Sequence, residues 1–99
     1  MSERIVRLVI AGLVQGVGFR AFVQREALKR GLRGWVRNRR DGSVEAVVAG
    51  PAEAVGEFVI ACRRGPRGSR VDTMETSFAS DGALAEPRAS SGFVILPTT

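Results

Sequence analysis

The chain of 99 residues contains no histidine, no tyrosine and a single cysteine, Cys62, so any chemistry rests on arginine, asparagine, carboxylates and backbone amides. Ser-His-Asp triads, Cys-His pairs and histidine-bearing metal sites are excluded. The stretch LVQGVGFR, residues 13–20, then stands out. Gly16 and Gly18 remove side chains, so that the N–H groups of Gln15, Gly16, Val17, Gly18, Phe19 and Arg20 can converge on one anion where a helix begins. Arg20 in that first turn opposes the helix dipole unless an anion lies between them. A dianion gripped by the guanidinium fork is one reading. An exposed arginine beside an ordinary tight turn is the other. Asn38 is a second candidate: its amide both donates and accepts, so it can orient a water and touch a phosphoryl oxygen together. Routine turn chemistry at a strand end also accounts for an asparagine there.

These residues need elements to hold them. Residues 4–11 read as a largely buried strand. Phe22, Val23, Ala27, Leu28 and Leu32 recur at helical spacing, which gives a helix over about 20–30 closed by Gly31. A strand from Arg33 to Arg39, the pair Asp41-Gly42 and a strand from Val44 to Ala49 make a hairpin. Gly50-Pro51 opens a second helix with Val55, Phe58, Val59 and Cys62 on its apolar stripe, and Gly65-Pro66 ends it. Cys62 on that stripe reads as core. A strand over 71–79 places Met74, Thr76 and Phe78 on one face; a small, polar connection over 80–92, read as mobile, leads to a short last strand at FVIL.

The order is βαββαβ with an added short C-terminal strand, the ferredoxin-like α+β sandwich: two helices on one face of a mainly antiparallel sheet. Its right-handed crossover makes the first two strands parallel, so the glycine-rich loop and Asn38 share one edge of the sheet. One domain, residues 1–99 with a core over 4–96, is expected at this length. The match of GVGFRA to a dinucleotide fingerprint is weak, because the second strand turns straight back through Asp41-Gly42.

Net charge is +5, from 15 Lys+Arg against 10 Asp+Glu, and every basic residue except Lys29 is arginine. That field favours anionic partners, although a GC-rich genome also enriches arginine. Arginines 37, 39, 40, 63, 64, 67 and 70 read as solvated surface, with steering of anions as a secondary effect. The N-terminal apolar run is too short and too charged for a signal peptide or a membrane span, and one cysteine fits a reducing, cytoplasmic setting.

VQGVGFR at 14–20, GWVRN at 34–38, DGSVE at 41–45 and RRGP at 63–66 closely resemble the acylphosphatase family, over about residues 4–96. The resemblance implies a small metal-free and cofactor-free hydrolase. Such an enzyme cleaves the carboxyl-phosphate anhydride of a small-molecule acyl phosphate to a carboxylate and inorganic phosphate. By that likeness Arg20 binds the phosphate with the loop amides of 15–20, and Asn38 positions the attacking water. Inorganic phosphate or sulfate is then a site ligand, a monomer is the plain expectation, and neither nucleic acid nor membrane is a partner. Gly56 within the second helix and the soft 80–92 connection depart from typical members. RNA binding by the same topology is the rival from another class. The third strand, VEAVVA, lacks the aromatics it requires. An inactive phosphate-binding relative and a domain of a larger carbamoyl-transfer enzyme are the remaining alternatives.

Overall fold

In the computed structural model, which describes residues 2–84 and 92–99, the chain runs β1 (Glu3–Leu13), α1 (Phe19–Lys29), β2 (Arg33–Asn38), β3 (Val44–Pro51), α2 (Ala52–Arg64), β4 (Arg70–Phe78), a 3-10 turn (Asp81–Leu84) and β5 (Phe93–Ile95). The sheet order is β4-β1-β3-β2-β5. β3 lies between β1 and β2 and is antiparallel to both, so β1 and β2 point the same way and end on one edge. The added strand, β5, runs parallel to β2 and covers its outer side.

Side-chain alternation decides the faces. Val6, Leu8 and Ile10 of β1, with Val36, Val44, Ala46 and Val48, meet Phe22, Val23, Val55, Phe58 and Cys62 of the helices in one core. β3 is flanked on both sides, so Val47 is buried on the far face as well, under Trp35. That face also holds the pairs Arg7–Glu45 and Arg37–Glu45, at 3.0 and 2.8 Å. Arg37, expected as solvated surface, is thus tied down away from the helices. Trp35 donates from Nε1 to the Ala83 carbonyl at 2.7 Å, which fixes the 3-10 turn over the sheet. The 80–92 connection therefore begins as structure; its part over 85–91 lies outside the described residues.

Local chemistry sets the helix ends. Gly31, at φ 69°, closes α1 with Leu32 N–H bonded to Ala27 O at 2.9 Å and Gly31 N–H to Leu28 O at 3.1 Å. α2 runs unbroken through the exposed Gly56, where an added Cβ meets nothing within 4 Å. Gly56→Ala is therefore expected to raise unfolding free energy by about 0.5–1 kcal/mol, read as a higher urea midpoint. The hairpin differs in detail from its sequence signal: Arg39 N–H bonds Ser43 O at 2.8 Å, so residues 40–42 form the loop. Asp41 accepts from Ser43 N–H and Oγ–H at 2.9 and 2.6 Å, and the Ser43 hydroxyl chiefly holds its carboxyl below the usual range. No helix among the described residues is long and apolar enough to cross a membrane.

Candidate active site

The loop between β1 and α1 is pinned by its apolar residues. Val14 and Phe19 are buried at its two ends and Val17 packs against the core, which leaves the glycines at the surface. Gly16 and Gly18 adopt φ of 76° and 77°, and no other residue type in the described chain has positive φ. The sign of φ thus alternates from Gln15 to Gly18, the backbone pattern that turns successive N–H groups into an anion-binding concavity. No atom lies within 4 Å of where a Cβ would sit at either glycine. Backbone conformation, rather than crowding, demands glycine here.

α1 starts without a side-chain cap and without an acidic residue in its first turn. Its first intrahelical bond is Phe22 N–H to Gly18 O at 3.0 Å, which leaves the N–H groups of Phe19, Arg20 and Ala21 as the orphan donors of the helix start. Arg20 is half-buried there and makes no ion pair or side-chain hydrogen bond among the described residues. Such a cation next to a positive helix end lacks the countercharge that would justify it.

Asn38 approaches from β2. It pairs with Val44, whose other neighbour is Ile10, so its side chain stands on the helix face at the sheet edge where β1 ends. Its Oδ1 is buried and has no hydrogen-bond partner among the described residues. A buried acceptor left bare costs about 1–3 kcal/mol, and such groups collect where function requires them. Gly16, Gly18, Phe19, Arg20 and Asn38 line one cleft of about 250 Å³, together with Ile95 of β5. Gln15 and Val17 of the expected cradle do not line it.

Gln15 does something the sequence did not announce. Its Nε2 donates to Arg39 O at 2.8 Å and to Ser43 O at 2.9 Å, the two residues that close the β2–β3 hairpin. The side chain thereby fastens the glycine loop to the strand end that carries Asn38. A polar residue beside two glycines is the only signal in the sequence, and its partners lie 24 and 28 residues away. Gln15→Leu strips the donor from both carbonyls and is expected to lower unfolding free energy by about 1–3 kcal/mol, measured by urea denaturation. An unchanged midpoint would mean that water replaces both bonds.

Other groups are unsuited to chemistry. Cys62 is fully buried, and burial pushes its thiol up to about 12, so it stays protonated and unreactive. The described residues contain no group of three or more His, Cys, Asp or Glu side chains placed to hold a metal. A wider groove of about 550 Å³ lies at the opposite sheet edge, between Arg4, Val55, Gly56 and Phe78, and is mainly apolar. Its polar lining residues are Arg4, Glu53, Thr76 and Ser77.

The Acylphosphatase family model matches residues 6–95. An acylphosphatase of Rhodopseudomonas palustris (strain BisB18) is 52% identical over 98 residues, 99% of each chain. The crystal structure of acylphosphatase from Bacillus subtilis superposes with a TM-score of 0.83 at 40% identity, covering 96% of this chain and 99% of that one. An acylphosphatase structure from Coxiella burnetii gives a TM-score of 0.84 at 26% identity over 95% and 93% of the two chains.

Proposed function

The chain belongs to the acylphosphatase family and hydrolyses acyl phosphates, and from that premise we propose how its own residues divide the work. The phosphoryl group sits in the cleft against the amides of its lining residues Gly16, Gly18, Phe19 and Arg20, with the Arg20 fork bridging two of its oxygens. Asn38 accepts a hydrogen bond from the attacking water at Oδ1 and so orients it. The water oxygen bonds to phosphorus as the bond from phosphorus to the acyl oxygen breaks. The carboxylate departs with that electron pair, and the water's proton passes to a phosphoryl oxygen.

Little else is required. A carboxylate is a good leaving group and the transition state is loose, so positioning and charge stabilisation supply most of the acceleration. The observation that carries the reading is the bare, buried Oδ1 of Asn38 in the wall of the cleft that also holds Arg20 and the start of α1. It is an acceptor to which no described residue supplies a donor. We also read the protein as a cytoplasmic monomer whose site takes inorganic phosphate or sulfate as product and mimic. Phosphate release from benzoyl phosphate in excess EDTA tests the mechanism. Turnover that is indifferent to EDTA and competitively inhibited by phosphate is expected; phosphate binding without turnover would leave an inactive phosphate-binding relative.

A further inference from the structure

The charge of this protein is distributed unevenly. Besides Arg20, six arginines belong to the segments that flank the cradle: Arg39 and Arg40 in the hairpin, Arg63 and Arg64 at the end of α2, and Arg67 and Arg70 just beyond it. Gln15 bonds the hairpin backbone at Arg39 on one side of the cradle. On the other, Gly65 lies against the Phe19 ring, and Arg70 pairs with Leu13 at the end of β1. Among side chains Asp41 and Asp72 oppose these seven cations, which leaves +5, equal to the formal net charge of the whole chain; the Thr99 main chain also docks here, its O accepting from Arg40 N–H at 2.8 Å. The remaining eight basic and eight acidic residues cancel.

Pairing leans the same way. Away from the cradle, Arg7, Lys29, Arg30, Arg33 and Arg37 each hold a carboxylate, whereas Arg25 has no ion pair among the described residues and Arg4 lies over the Phe78 ring. Around the cradle only Arg70 holds a carboxylate, that of Asp72 at 2.9 Å, and among the described residues Arg39, Arg40, Arg63, Arg64 and Arg67 have no ion pair. A codon bias toward arginine would scatter cations over the surface and does not explain this segregation. A helix C-terminus accounts for Arg63 and Arg64 and leaves the others unexplained.

The cleft itself, at about 250 Å³, is below the size that encloses a drug-sized ligand, so it takes the phosphoryl group and leaves the acyl group projecting past the rim. We propose that this arginine rim is a second anion subsite, and that the preferred substrates are acyl phosphates whose acyl group carries a further negative charge. This rests on the hydrolytic reading above and deepens it. Arg39 and Arg40 follow Asn38 in sequence and meet the acyl group from the hairpin; Arg63, in the last turn of α2, and Arg67, just beyond it, meet it from the other side.

The test pairs benzoyl phosphate with 4-carboxybenzoyl phosphate, equal in shape at the anhydride and different by one carboxylate. At low salt the carboxylated substrate is expected to have a kcat/KM about five-fold higher, falling to about two-fold near 0.3 M salt as the Debye length shortens. Substituting Arg39, Arg40, Arg63 and Arg67 together by glutamine is expected to bring the ratio close to one. The Kd ratio of benzoylphosphonate and 4-carboxybenzoylphosphonate reads the same subsite without turnover. A ratio near one in the unaltered protein at low salt, or a preference indifferent to salt and to the four substitutions, overturns the proposal. A retained Kd preference in a protein that turns over neither substrate would support the rim and strike the hydrolytic mechanism instead.

Discussion

Replacing Arg20 by lysine is expected to lower kcat/KM for benzoyl phosphate by about 10³-fold or more, on the scale of losing an arginine that stabilises phosphoryl-transfer charge. Lysine keeps the positive charge and loses the planar fork, so the change separates geometry from charge. Arg20 has no ion pair or side-chain hydrogen bond among the described residues, so the fold loses nothing specific with it. The urea midpoint should therefore stay where it is while activity collapses and inhibition by inorganic phosphate weakens. A lysine variant within about ten-fold of the original would mean that simple charge is enough, and that the bidentate grip is not made.

Asn38→Ala should separate catalysis from stability in a different way. Loss of the group that orients water is expected to cost about 10²-fold in kcat, the penalty of a misplaced reactant. The phosphate inhibition constant should move by no more than about two-fold, since the loop amides and Arg20 remain. At the same time the substitution deletes a buried acceptor that has no partner among the described residues. Removing it relieves a desolvation cost, so the urea midpoint should be equal or higher. Lower stability together with unchanged kcat would identify Asn38 as an ordinary turn residue. A large loss of phosphate affinity would place its side chain in binding rather than in water positioning.

Much of this architecture was legible in the residues because each element carried its own punctuation. Gly31 and Gly65 end the helices as their positions predict, and the strand read over Val44 to Ala49 forms, in the fold the central one and buried on both faces. Arg20 and Asn38 fall into one cleft because a single topological rule, the right-handed crossover, makes β1 and β2 parallel. Features that depend on contacts between distant segments were not legible. The pair of hydrogen bonds from Gln15 Nε2 to Arg39 O and Ser43 O is one. The register shift opposite Ala11 and Gly12 is another: it leaves Asp72 as an extra residue, so that Val71 and Met74, three apart, both reach the core. The docking of Ala83 on Trp35 is a third, since nothing in the 80–92 composition names an indole as its partner.

Gly34 lies within β2, where a glycine ordinarily weakens the strand. In the fold its φ is 142° and its Cα faces the Val47 carbonyl so closely that a Cβ would collide with it. The glycine allows β2 to press against β3, and Asn38, four residues later, inherits its position from that contact.

The insertion of β3 between β1 and β2 also has a kinetic consequence. The cradle and Asn38 belong to strands that never pair with each other, so they become neighbours only after a third strand has taken its place between them. Every partial structure that lacks β3 is therefore blind to substrate, however complete its helices. Regain of turnover during refolding should accordingly follow the slowest long-range strand pairing and lag behind the helical signal. Enzymatic activity in this protein doubles as a clock for the closing step of its own folding.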